Sequence, residues 1–176
     1  KRQMCIRNRN ATGTGSNFRN PHGMVCTANG DLYVCDTENH AIRKVAKFVN
    51  LGNGQVVSTF AGAAPNANQT GTVGTSNGTG TAARFNNPTD ITKDASGAFY
   101  VTDRDNYTIR KISSAGVVST LAGKAGTRGT SDGSGASANF GSPYGVAIYN
   151  SNTIVVTDPW NGNIRKINMF SGATTT

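Results

Sequence analysis

The 176-residue sequence has no run approaching the ~18 consecutive apolar residues that a membrane-spanning helix requires, so a helical membrane span is excluded. Aromatic residues make up only 7% while glycine reaches 22 residues, a balance that favours many short turns over long helices. With two histidines, His22 and His40, no Ser-His-Asp arrangement can be argued. Residues 1–17 lack the charged, apolar and small-residue order of a signal peptide, and the first residue is Lys1. The expectation is that a targeting segment is absent or removed and that the chain is a piece of something longer.

What is present is repetition. The stretch "DNYTIRKI" (Asp105 to Ile112) has close copies in "ENHAIRKV" (Glu38 to Val45) and "NGNIRKI" (Asn161 to Ile167). Around them, three anchor spacings hold in every copy. Phe18, Phe85 and Phe140 stand three residues before Pro21, Pro88 and Pro143; fifteen further on come Asp36, Asp103 and Asp158, and three after those Asn39, Asn106 and Asn161. Asn10, Asn77 and Asp132 lie eight residues before each Phe, and Gly13, Gly80 and Gly135 five before it. The units are 18–62, 85–123 and 140–176, the last with an incomplete outer strand. Between them lie 63–84 and 124–139, while 1–17 reads as the tail of a preceding repeat.

Each unit decodes into a four-stranded antiparallel meander. A strand follows the Pro, which cannot donate to a ladder and so suits a strand's first residue. A turn (Asn29-Gly30, Ser96-Gly97, Asn150 to Asn152) leads to Leu32 to Cys35, Phe99 to Thr102 or Ile154 to Thr157, rich in β-branched and aromatic residues. The Asp-x-x-Asn turn opens the third strand, and "VVSTF" or "VVSTL" supplies the fourth. In the third strand Ile109 and Ile112 are three apart, so a side-chain period of two sends them to opposite faces and both faces must be covered. Tandem sheets with no wet face describe an all-β propeller, with about three blades in this chain. Because propellers close with about four to eight blades, the expectation is a larger ring, completed by further blades or by a second chain.

The series Phe-x-x-Pro-x-Gly, then Tyr-Val-x-Asp-x-x-Asn-x-x-Ile-Arg-Lys-Ile, resembles the NHL repeat over essentially the whole chain, with the name-giving triplet in variant form as Asn39-His40-Ala41. The Gly78 to Phe85 approach and the "VVSTLAG" strand resemble a subgroup found in secreted and surface proteins. The resemblance implies six blades as the common count. Departures are Asp90 in place of Gly, Pro159-Trp160 in the third turn, and long inter-blade stretches.

The net charge of +8 invites a nucleic-acid reading. Six of the 17 basic residues are the repeated pairs Arg43-Lys44, Arg110-Lys111 and Arg165-Lys166, leaving 11 basic against nine acidic. Their stems are expected along the blades with charged ends at the rim or paired to turn aspartates, and no aromatic-basic interleaving for stacking bases is evident. Nucleic acid is therefore not an expected partner. Some propellers similar to the NHL type are lyases that hold a metal through several histidines. Here no catalytic or metal-ligating set emerges, no cofactor is expected, and Asp36, Asp103 and Asp158 read as turn acceptors.

The positions that vary most among the copies fall after the Pro (His22, Tyr144) and inside the Asp-x-x-Asn turns (Glu38, Arg104, Asp105, Trp160). They are the candidate binding face, with mixed charge and aromatic area suited to a protein or glycan partner, including other copies of the chain. Asn10, Asn68, Asn77 and Asn106 carry the Asn-x-Ser/Thr pattern of glycosylation, although Asn106 also occupies the repeated turn position. If Asn29-Gly30 sets the hairpin register, Cys26 faces Tyr33 and lies diagonal to Cys35 on one face, a disulfide candidate; free thiols are the alternative. The leading expectation is a non-enzymatic extracellular binding or structural propeller, a glycosylated unit of a surface or filament assembly. A channel-sited lyase or lactonase is the first alternative and an RNA-binding propeller the second.

Overall fold

The computed structural model describes residues 11–12, 18–47, 56–63 and 71–176. Asn10, Asn68 and Cys5 lie outside them. The first sheet holds β1 (Ala11–Thr12), β2 (Pro21–Cys26), β3 (Leu32–Asp36), β4 (Ala41–Val45) and β5 (Val56–Ala61), in the order β1-β5-β4-β3-β2. The second holds β6 (Gly78–Thr79), β7 (Pro88–Lys93), β8 (Phe99–Asp103), β9 (Thr108–Ile112) and β10 (Val117–Ala122). The third holds β11 (Gly133–Ser134), β12 (Val146–Asn150), β13 (Thr153–Asp158), β14 (Asn163–Asn168) and β15 (Ala173–Thr175). All three repeat one strand order and every ladder pair is antiparallel. These are propeller blades in an arc, with the inner strand β7 packed between β2 and β12.

Each blade has one strand more than the expected meander. The approach segment contributes the two-residue strands β1, β6 and β11, which pair with the outermost long strand and cover its free edge. Pro21 and Pro88 begin their strands as expected, whereas β12 starts three residues after Pro143. The third outer strand is present but short, with Ile167 opposite Thr174.

The third strand does fill two gaps. Ile109 is fully buried in a cluster with Ile154, Val156 and Ile167 of the third blade, while Ile112 is buried with Tyr33, Cys35 and Ile42 of the first. Each blade therefore has an outgoing face toward the next blade (Tyr33, Ile42; Tyr100, Ile109) and an incoming face toward the previous one (Val101, Ile112; Val156, Ile167). Every residue of β8 is buried because both faces are covered.

The first hairpin departs from the expected register. Its loop spans Thr27 to Asp31, closed by Thr27 N–H donating to Asp31 O (2.9 Å) and Gly30 N–H to Thr27 O (2.8 Å), with Gly30 at φ 89°. Cys26 therefore pairs with Leu32 rather than Tyr33. A one-residue slip reverses the faces, so Cys26 shares a face with Leu32 and Val34 while Cys35 lies on the other with Tyr33. The Cys26–Cys35 disulfide is thus corrected: both thiols are free, Cys26 exposed and Cys35 buried.

Candidate functional site

The three Asp-x-x-Asn turns lie at one end of the strands, and a buried carboxylate builds each. Asp103 accepts from Asn86 N–H (2.7 Å), Asn106 Nδ2 (2.8 Å) and Arg110 Nη1 (2.9 Å). Asp36 does the same with Arg19 N–H (2.6 Å), Asn39 Nδ2 (2.9 Å) and Arg43 Nη1 (3.2 Å). Asp158 accepts from Gly141 N–H (2.8 Å), Ser142 N–H (2.7 Å) and Asn161 Nδ2 (2.8 Å). The backbone donors come from the segment seventeen or so residues upstream, not from the turn itself, so these are tethers between segments rather than Asx-turns. The expected pairing of strand arginines with turn aspartates holds in the first two blades. In the third, Arg165 instead reaches Asp132 (2.8 Å).

All three arginines and all three aspartates are fully buried. The guanidinium of Arg110 lies 5.2 Å from the Phe85 ring centre, that of Arg165 5.2 Å from Phe140, and that of Arg43 5.9 Å from Phe18. The anchor Phe, the strand Arg and the turn Asp of the sequence pattern thus form one stack in each of the first two blades, while the third keeps only the Phe–Arg contact. Burial pushes the Asp103 carboxyl up to about 6 despite its three donors, and raises Asp36 likewise. Among the described residues no group of His, Cys, Asp and Glu could hold a metal ion, and these sequestered carboxylates have no open side for a substrate.

The candidate binding residues fall into four separate contacts. His22 and Tyr144 meet across the first and third blades, their ring centres 5.9 Å apart, and His22 Nδ1 lies 3.3 Å from the Thr37 hydroxyl. Arg104 pairs with Asp105 (2.8 Å), whose carboxylate also accepts from Asn87 Nδ2 (2.6 Å). Burial works against the Asp105 charge, but the Arg104 and Asn87 hydrogen bonds hold its carboxyl below the usual range. Glu38 stands apart in an exposed pair with Arg19 (2.8 Å).

Trp160 is 68% exposed, and its ring lies 4.4 Å from the guanidinium of Arg128, which also lies 4.9 Å from the Tyr107 ring. Arg128 is itself exposed, so the two rings and the cation form an open surface cluster that leaves much of the indole to solvent. Sequence reasoning missed Arg128 and Tyr107. Arg128 lies in an inter-blade stretch, "GTRGTSDGSG" against "GTVGTSNGTG", at the position held by Val73 in the preceding copy, and Tyr107 occupies a turn position at φ 59° that is His40 in the first blade. His40 is used structurally: its Nδ1 accepts Asn87 N–H (3.0 Å), joining the first two blades.

The glycosylation candidates also separate. Asn106 is buried, and its Nδ2 donates to both Gly74 O (2.7 Å) and Asp103, so a sugar there would remove the turn's own cap; the modification reading is corrected to a structural one. Asn77 is exposed, and only its Oδ1 is held, by Arg110 Nη2 (2.8 Å) and Thr120.

Among the described residues no helix is long and apolar enough to cross a membrane. A family model described as the teneurin NHL domain matches residues 15–134, more than half the chain. No curated protein matches it. Solved structures similar to it include an auxiliary nutrient binding protein from Bacteroides ovatus, 26% identical, with a TM-score of 0.68 over 86% of this chain. Another, an auxiliary nutrient binding protein from Bacteroides thetaiotaomicron, is 23% identical with a TM-score of 0.70 over the same share. This chain spans 37% of each. Virginiamycin B lyase from Staphylococcus aureus, 13% identical, has a TM-score of 0.57 over 97% of this chain and 42% of the lyase; at that identity the likeness is one of fold.

Proposed function

This chain belongs to the teneurin NHL domain family, and from that premise we propose that it is a non-enzymatic binding and structural module of the cell surface or extracellular space. The observation that carries the reading is the exposed Trp160, held on Arg128 at the turn end of the blades. The carboxylates that recur in the repeat are meanwhile consumed inside the sheets. An exposed indole beside a cation, with Tyr144 after the third anchor Pro and the Arg104–Asp105 pair on the neighbouring turn, suits a protein surface or a glycan. The likeness to the Bacteroides ovatus nutrient binding protein supports binding over catalysis. Asn77 is the described position suited to a glycan, which fits a glycosylated unit of a surface or filament assembly.

The test is a screen of immobilised glycans and extracellular proteins with wild type and Trp160→Ala. The expected result is a bound class that the variant loses roughly tenfold or more, with an unchanged melting temperature. Intact-mass measurement of the native protein should show added hexose. A stoichiometric metal with turnover and no sugar would replace this reading with a lyase or lactonase, and salt-sensitive retention of RNA would replace it with an RNA-binding propeller.

A further inference from the structure

Asn77 and Asp132 occupy one slot in successive repeats, eight residues before the anchor Phe, and the slot is built the same way twice. Arg110 Nη2 donates to Asn77 Oδ1 at 2.8 Å and to Ser76 O at 3.1 Å, and the Thr120 hydroxyl donates to the same Oδ1 at 3.4 Å. In the third blade Arg165 Nη2 donates to Asp132 Oδ1 at 2.8 Å and to Ser131 O at 3.0 Å, and the Thr176 hydroxyl donates to that Oδ1 at 3.1 Å. A glycine follows in both, Gly78 at φ 151° and Gly133 at φ 154°. The difference is chemical: an amide stands in the second blade where the third holds a carboxylate, so the same slot accepts either. Three Asn-Gly pairs lie among the described residues, and their amides are held differently. Asn29 Nδ2 donates to Asp31 Oδ2 (3.0 Å), and Asn161 Nδ2 donates to Asp158 Oδ2 and Gly129 O (2.8 Å each). At Asn77 the hydrogen bonds among the described residues go to the oxygen, one of them from a fully buried guanidinium, and the amide nitrogen of this exposed residue is left to solvent.

We propose that Asn77-Gly78 is a self-modification site, at which the chain converts Asn77 to aspartate with water as the only co-reactant. The backbone nitrogen of Gly78, which no Cβ shields, loses its proton to solvent and attacks Asn77 Cγ. The new N–C bond closes a cyclic imide as the Cγ–Nδ2 bond breaks, and ammonia leaves with a proton taken from water. Water then opens the ring, at Cγ to give aspartate or at the main-chain carbonyl to give the isoaspartyl form; nothing is oxidised or reduced. Negative charge develops on Oδ1 during the attack, and Arg110 Nη2 and the Thr120 hydroxyl are already aimed at that atom. The aspartate then has the place that Asp132 occupies beside Arg165. It gives Arg110 a second carboxylate next to Asp103 and moves the second blade toward the charge arrangement of the third, where Arg165 pairs with Asp132. A sugar on Asn77 would sit on the departing nitrogen, so conversion and glycosylation exclude each other there. None of this depends on the function proposed above.

The experiment ages the protein, produced in a host that adds no sugar, in mildly alkaline buffer and follows Asn29, Asn77 and Asn161 by peptide mass mapping, both folded and in urea. In the folded chain Asn77 should convert on the order of tenfold faster than the other two, a fraction of what fully buried oxyanion donors supply. Aspartate and isoaspartate should both appear at that position. In urea the three rates should converge, because a glycine follows each asparagine and the folded neighbours are gone. Asn77→Asp, the product of the reaction, is measured beside it and should melt no lower than wild type. Folded Asn77 converting no faster than Asn29 or Asn161 overturns the proposal, and so does a lead for Asn77 that persists unchanged in urea, since the rate would then owe nothing to Arg110. An Asn77→Asp chain that melts well below wild type overturns the claim that the slot accepts the acid.

Discussion

The second and third blades are built from nearly the same strand, "TIRKI" against "NIRKIN", yet they live under different constraints. In the second blade β9 is buried on both faces and its Arg110 is paired with Asp103 at 2.9 Å inside the sheet. In the third blade β14 is covered on one face only, and Arg165 pairs with Asp132, whose side chain is 52% exposed. The difference teaches that the repeat motif encodes a two-sided element, while its energetic weight depends on what stands on each side.

The sharpest way to test this contrast is to remove the turn carboxylate in each blade. Asp103→Ala leaves the fully buried Arg110 without its counter-charge and should cost about 3–5 kcal/mol in urea unfolding. Asp158→Ala removes hydrogen bonds but no arginine partner and should cost distinctly less; equal losses would show that the arginine pairing has no special weight. Truncating the strand isoleucines comes next. Ile109→Ala should cost about 2–5 kcal/mol as a core cavity, and the exposed Ile164→Ala within about 0.5 kcal/mol.

The glycines after the strand-opening positions give a smaller contrast. A Cβ on Gly23 would stand 2.6 Å from the Asp90 Cα across the blade boundary, against a nearest approach of 3.1 Å, to the Thr157 hydroxyl, at Gly145. Gly23→Ala should therefore destabilise by about 1–3 kcal/mol, and Gly145→Ala by well under that. Smallest is the pH response of the second blade. Asp103 titrates near 6 when folded and at the ordinary carboxylate value when unfolded. Its folded state thus holds the proton more tightly, so its contribution is complete at low pH and is lost as pH rises through about 6. Relative to Asp103→Asn, wild type should gain about 1 kcal/mol between pH 7 and pH 5; a loss would mean that the Arg110 pairing outweighs burial.

The candidate site was legible in part. His22, Tyr144, Arg104, Asp105 and Trp160 stand out because they break a repeat, and the structure places all five on the turn end. Arg128 and Tyr107 break it too, standing where other copies have Val73 and His40 or Gly162, but neither falls directly after the Pro or inside an Asp-x-x-Asn turn, where the variation is most concentrated. The cysteine pairing failed at a single step: the Asn29-Gly30 pair looks like a two-residue hairpin, but the side chains and backbone of Thr27 and Asp31 close a five-residue loop instead.

By itself the sequence determined the blade: Phe, Pro, Asp, Asn and Arg at fixed spacings, alternating apolar positions, and an Ile pair that demands cover on two faces. Those are local and periodic properties, and a side-chain period of two is enough to expose them. Only the tertiary structure decided which carboxylate meets which arginine, which asparagine is spent as a cap, how the first hairpin registers, and which sheet faces stay open. Each depends on distances between residues from 3 to more than 50 positions apart in the chain, set by how blades stack rather than by any one repeat.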